Sequence, residues 1–289
     1  MEDLSIFQEL FFKEPISPPS YSLFVPDNSA FEILHPAELS YLKTPFAKQD
    51  RINLVRRHAS TNITYVKNLV LGGSIPSLEG ERIHYKQRED DIFVDGANIT
   101  QTDIVARNGI SPPILTLRSS SVVGFSGLYV MRILILGVIH VISKLLLPDS
   151  VIFTPLKYLY GLGNIIFAET LAASDSFPLS NDSSISQTIL APIDSAYADS
   201  VDIQATELLK QVQYNFLDEK IDLEKVEDGV LLKTKYDLKS LEGSVQRIKV
   251  SKRDGKILLN HGIEVVSEAG IVPFLRLHLP SVMISSNFL

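Results

Sequence analysis

Apolar and polar positions along this chain of 289 residues fall into a series that occurs twice. "LFVPDNSAFEIL", from Leu23, opens as an apolar strand through Phe24 and Val25 and is stopped by Pro26. Asp27 or Asn28 can then cap a helix through a side-chain oxygen, with Ala30, Phe31 and Leu34 on its buried face. "ILAPIDSAYADS", from Ile189, repeats the design with Pro192, Asp194, Ala196 and Tyr197. Downstream of each comes an alternating stretch that reads as a β-meander. "ERIHYKQ" turns at Glu89-Asp90-Asp91 and returns as "IFVDG", with Asp95-Gly96 as a second tight turn. "QRIKVSKRDGKILLN" turns at Asp254-Gly255, a favoured two-residue hairpin dipeptide. The two pairs of blocks keep one order and an offset of about 160 residues, so the chain is read as two copies of one folding unit.

Helical periodicity fills the space between the blocks. "FAKQDRINLVRRHAS" turns Ile52, Leu54 and Val55 inward and ends near His58; "ATELLKQVQYNFLD" does the same with Leu208, Leu209, Val212 and Phe216. The opening "MEDLSIFQELFF" reads as a short amphipathic helix with Leu4, Phe7, Leu10 and Phe11 on one face. It has no basic region ahead of its apolar residues and does not read as a signal peptide.

Composition narrows the function classes. The net charge of −7, with no block of lysine or arginine, argues against nucleic acid or anionic lipid as the main partner. Cysteine is absent, which excludes disulfides, thiol nucleophiles and thiolate metal sites. A phosphate loop, a zinc-protease HExxH and a serine nucleophile elbow are all missing. "YGLGNIIF" at Tyr160 has two glycines of a dinucleotide loop but not the third, and reads as a break between helices. The six histidines show no ligand spacing, and the acidic turn at Glu89, Asp90, Asp91 and Asp95 does not fit a calcium loop. No catalytic residue, metal or cofactor is expected.

The repeated motifs carry a resemblance. "YSLFVPDNSAF" and "TILAPIDSAYA" resemble the first signature of fasciclin domains. "TQTDIVARNG" is similar to that family's Asp-Ile-x-Ala-x-Asn-Gly stretch, matching at Asp103, Ile104, Asn108 and Gly109. "GVIHVISKLLLPD" resembles the second signature through Gly137, His140, Ile142, Leu146 and Pro148, with Ser143 where the family usually has Asp. Arg57-His58 stands where Tyr-His is common; the second copy has Tyr214-Asn215. The resemblance implies an α+β fold: two fasciclin-type domains, each a small antiparallel β-sandwich or wedge with packed helices, over residues 1–150 and 151–289. It also implies a fungal-type tandem member read from an incomplete or mis-spliced gene model.

One segment departs from the family pattern. Residues 110–137 separate Asn108-Gly109 from Val138-Ile139-His140, which the family places in direct succession. From Asn108 onward no carboxylate occurs before Asp149. Deleting the insert restores "ARNGVIHVISKLLLPD", and it is read as a translated intron. The competing reading is a membrane anchor over the apolar run 122–142, against which Arg132 near the run's centre argues. The tail 271–289 is similarly poor in acids and shows no second signature, so the second domain is expected to lack its closing strand.

The resemblance implies a non-enzymatic adhesion or matrix-interaction protein. The expected setting is the secretory pathway, at the cell surface, outside the cell or in a vacuole. The expected partner is a protein or glycan surface; membrane association would come through missing ends or the 122–142 run. A structural or quality-control role in the secretory or vacuolar lumen is the alternative. Asp103, Ile104 and His58 are the candidate binding residues, because similar Asp-Ile and Tyr-His regions contact adhesion receptors in animal relatives. Phe24, Pro26, Asn28, Ala30, Phe31, Asn108, Gly109, His140, Ile142, Pro148, Pro192, Asp194, Ala196 and Tyr197 are read as architectural, with His58 and His140 hydrogen-bonded in the core. Asn62, Asn98 and Asn181 begin glycosylation sequons.

Overall fold

The computed structural model describes residues 4–11, 20–69, 71–106, 136–174, 178, 181–197, 212–217, 219–237, 245–260, 262–272 and 275–280. The chain divides into two units, Met1–Val151 and Ile152–Leu289.

In the first unit, helix α1 (Ser5–Phe11) precedes strand β1 (Ser20–Pro26). A 3-10 turn over Asn28–Ile33 follows, then helices α2 (Pro36–Lys43) and α3 (Lys48–Arg57). Next come β2 (Ala59–Ser60), α4 (Val66–Leu69) and β3 (Gly73–Pro76). Strands β4 (Arg82–Arg88), β5 (Asp91–Val94), β6 (Ala97–Ala106) and β7 (Leu136–Ile142) form the meander. The seven strands make one sheet in the order β2-β1-β7-β6-β5-β4-β3. Phe24, Leu69, Ile75, Ile83, Ile92, Val94, Ala97, Ile99, Ile142 and Leu146 pack into one cluster against it. Alternation along β4 and β5 puts Ile83, Ile92 and Val94 on the same buried face, as a period of two requires.

The second unit opens with helices α5 (Pro155–Leu162) and α6 (Ile165–Ala172). Gly163 separates them at φ 82°, a left-handed position that glycine takes without strain, so "YGLGN" is a helix break. Strands β8 (Gln187–Leu190), β9 (Phe216–Leu217), β10 (Leu231–Asp237), β11 (Val245–Arg253), β12 (Lys256–Leu259), β13 (Ile263–Val272) and β14 (Leu275–Pro280) follow. Their order is that of the first unit, strand for strand, and a β9–β10 pair at Leu217 and Thr234 closes it into a barrel.

Three expectations change. The sheets are not wholly antiparallel: β1 runs parallel to β7, and β8 parallel to β14. The second domain does not lack its closing strand. Residues 275–280 supply it, and His278 pairs with Leu190 in the register where His140 pairs with Phe24. The signature was invisible because its flanking residues differ, whereas backbone pairing depends on register rather than on side-chain identity. Finally, a membrane helix through 142 is excluded, since Leu136–Ile142 is a strand paired with β1 and β6. No helix among the described residues is long and apolar enough to cross a membrane. Asn108, Gly109, the insert up to residue 135 and residues 281–289 lie outside the described residues.

Candidate functional site

The first signature builds a corner. Asp27 is the cap: its Oδ1 accepts the Ala30 N–H at 2.9 Å and the Ser29 hydroxyl at 2.6 Å, while its own N–H donates to the Ile142 carbonyl. Asn28 instead docks the N-terminal helix. Its Oδ1 accepts the Ile6 N–H at 3.0 Å and its Nδ2 donates to Ser5 Oγ. Ala30 and Phe31 are buried as expected, and Pro26 and Pro148 are buried with them. In the second unit Asp194 Oδ1 accepts the Ile166 N–H at 3.1 Å, so the equivalent side chain takes the equivalent helix start. Pro192 is buried and its carbonyl accepts from Asn164 Nδ2 at 2.9 Å. Ala196 and Tyr197 are half-buried rather than buried. The helix ahead of the first strand therefore belongs to the repeat. The sequence held the signal in "SIFQELF" and "NIIFAETLA", but the helices gave no shared motif to search for.

The two motif histidines are wholly buried and both hold backbone. His58 Nδ1 donates to the Leu54 carbonyl at 2.8 Å, and its Nε2 accepts the Leu146 N–H at 3.0 Å. A ring that donates from one nitrogen and accepts at the other is neutral. Burial pushes its pKa down to about 4; the Leu54 hydrogen bond opposes that shift and the Arg57 charge adds to it. His58 has no exposed surface, so the expectation that it contacts a partner is corrected: it is a brace between α3 and the segment after β7. His140 likewise donates from Nε2 to the Thr64 carbonyl at 2.8 Å and accepts the Asp103 N–H at Nδ1, 3.4 Å away. Its ring stacks on Phe24 with centroids 5.4 Å apart. Burial lowers its pKa too, against the Thr64 hydrogen bond and the Asp103 charge.

Asp103 sits in a bulge of β6, where the six residues from Ile99 to Ile104 face only the four from Ile142 to Ile139 of β7, and it adopts φ 52°. Its Oδ1 accepts the Val66 N–H at 2.8 Å at the start of α4. Ile104 is half-buried beside it and pairs with Ile139. Thr64 completes the arrangement by donating its N–H to Ser22 Oγ at 2.8 Å. Three adjacent strands thus each hold one group of the 64–66 backbone: Ser22 on β1, His140 on β7 and Asp103 on β6. Ile63 and Tyr65 beside this held backbone, and Leu71 beyond α4, are 45%, 37% and 88% exposed. Lys67 lies over the Tyr65 ring at 5.8 Å. Sequence reading missed these three apolar residues, because exposure of an apolar side chain has no local signature.

Ser143 stands where the resemblance puts Asp. Its Oγ accepts the Asn98 N–H at 3.1 Å while its N–H donates to the Asn98 carbonyl, so a hydroxyl does the acceptor's work. Of the sequon asparagines, Asn62 and Asn181 are exposed and Asn98 is half-buried with its Oδ1 enclosed. Among the described residues no cluster of histidine and carboxylate side chains has the arrangement of a metal site.

The chain is similar in part to known proteins. The family model described as "Fasciclin domain" matches residues 5–114, which lie within the first unit. The second unit repeats its strand order and its corner, so the chain holds two copies of one α+β fold. Human periostin is 25% identical over 217 residues, 74% of this chain but 22% of periostin, so the chain spans about a fifth of that relative. A solved FAS1 domain pair from the insect cell adhesion molecule fasciclin I covers 98% of this chain and 93% of its own, at 13% identity and a TM-score of 0.39.

Proposed function

We propose that this chain is a non-enzymatic adhesion or matrix-interaction module, and that the Asn62–Leu71 segment of its first unit is the contact surface. The observation that carries this reading is the pinning of residues 64–66 by Ser22, His140 and Asp103 in a unit that matches the fasciclin domain. Backbone held at 64–66 presents Tyr65 beside Ile63 and loses little conformational freedom when a partner covers it. Tyrosine is among the side chains enriched at the few positions that carry most of the energy of protein contacts. Asp103 and Ile104 serve this surface from beneath, by shaping it. The partner is a protein or glycan surface of the cell exterior or its matrix, and a glycan is expected at Asn181 in preference to Asn98, whose side-chain oxygen is enclosed.

The test is adhesion of cells, and binding of matrix extracts, to the immobilised full chain. Tyr65→Ser with Leu71→Ser should reduce binding at least tenfold while the thermal transition stays within a few degrees. Full binding by that double variant would reject the surface, and absence of binding by the parent chain would reject the adhesive role.

A further inference from the structure

The two units build the same junction from different chemistry. In the first, Asp95 at φ 47° exchanges backbone hydrogen bonds with His84: its Oδ1 accepts the His84 N–H at 2.9 Å and its N–H donates to the His84 carbonyl at 2.8 Å. In the second, Asn260 at φ 48° does the same to Lys249, at 3.0 and 2.8 Å. Across the junction, Arg57 Nη1 donates to the Arg82 carbonyl at 3.3 Å and its Nη2 pairs with Asp95 Oδ2 at 2.7 Å. Its Nε lies 3.1 Å from Glu81 Oε2, near enough to pair but not directed as a hydrogen bond. The second unit puts Tyr214 there. Its hydroxyl donates to the Arg247 carbonyl at 3.2 Å and receives Asn260 Nδ2 at 3.2 Å. The ionic pair of the first unit is a neutral pair in the second.

The next residue follows suit. His58 directly precedes β2, and Asn215 directly precedes β9. Both are buried, and Asn215 Nδ2 donates to the Leu190 carbonyl at 2.7 Å. Only the histidine can gain a proton. Protonation places a hydrogen on Nε2, where the Leu146 N–H now donates, so two donors would face each other and that bond must break. Among the described residues no acidic side chain is placed against His58 to welcome the charge. Its neighbour is the Arg57 cation, whose partners Glu81 and Asp95 are already engaged, and toward α1 it meets the Phe7 ring edge-on with centroids 6.3 Å apart.

We propose that mild acid opens the first unit ahead of the second, through loss of the His58 hold on Leu146, and that Asn215 exempts the second unit from this step. Burial holds the His58 ring neutral down to a pH of about 4 in the closed state, so opening must accompany proton uptake above that value.

Hydrogen exchange of the full chain between pH 7 and pH 4.5, corrected for the intrinsic rate, tests it. Peptides covering 54–60 and 136–146 should lose protection about tenfold per pH unit for each proton taken up, beginning near pH 6.5, before peptides covering 212–217 and 245–260. His58→Asn, which copies the second unit, should lower that uptake by one proton. An unchanged pH dependence in the variant, or loss of protection by both units at one pH, would overturn the proposal. Should His58→Asn fail to fold, NMR titration of the parent imidazole decides: a ring that titrates near 6.5 in the folded chain refutes the mechanism, and one that titrates only as the unit opens supports it.

Discussion

The Asp103 carboxylate accepts the backbone N–H of Val66 from 37 residues away, at 2.8 Å, and does so from a left-handed backbone conformation. The two features depend on each other: the bulge aims the side chain at α4, and the hydrogen bond helps hold the bulge. Asp103→Ala should cost about 2 kcal/mol, combining an unmet, partly buried donor with the strain of alanine at positive φ. Asp103→Asn keeps an acceptor and tolerates that φ, so it should cost under about 1 kcal/mol. Urea denaturation of the pair of variants checks the difference.

Stability of the first unit should fall in acid, and the sign follows from the histidines. The folded pKa of His58, about 4, lies below its ordinary 6.5, so the unfolded chain binds more protons between those values. The contribution is fully present above pH 6.5 and is lost as pH falls toward 4, by on the order of 3 kcal/mol. His140 shifts in the same direction and steepens the loss. Denaturation midpoints from pH 7.5 to 4.5 measure it.

The Arg57–Asp95 pair should be replaceable by its counterpart. Asp95→Asn alone leaves a largely buried guanidinium short of an anion, at a cost of about 2–3 kcal/mol. Arg57→Tyr together with Asp95→Asn installs the pair the second unit uses, and should recover at least half of that loss. A double-mutant cycle with a coupling near zero would show that the two sites act independently.

Removal of residues 110–137 should leave the first unit folded. Ala106 pairs with Gly137 across β6 and β7, so joining Gly109 to Val138 leaves Arg107-Asn108 as a two-residue hairpin loop. The second unit has this geometry, with Val272 paired to Leu275. The shortened chain should unfold at the parent's denaturant midpoint or above, because a shorter loop loses less entropy on closure. Circular dichroism of the two proteins decides.

Much of this fold was legible because its signals are local. The corner at Pro26 and Pro192, the turns at Glu89 and Asp254 and the inward face at Leu54 and Val55 follow from backbone restriction and periodicity, which the chain carries residue by residue. The binding role expected of His58 failed for a physical reason. Histidine is polar enough to work at a surface and small enough to bury when both nitrogens find partners, and the partners, at Leu54 and Leu146, are 92 residues apart. Asp103 was read as a candidate binding residue, and the structure shows it as a strand residue whose role depends on a bulge that two strands create jointly.

The sequence by itself determined that one unit is used twice and where its opening strand, its hairpin turns and the buried face of α3 fall, since repetition, turn chemistry and apolar spacing are properties of order along the chain. Tertiary structure alone decided that His278 takes the register of His140, that Asn28 and Asp194 each seize a helix start, and that Ile63 and Tyr65 stand exposed beside a pinned backbone, with Leu71 exposed beyond α4. Those outcomes rest on distances between residues far apart in the chain, and such distances are fixed only when the strands pair and the core closes around them.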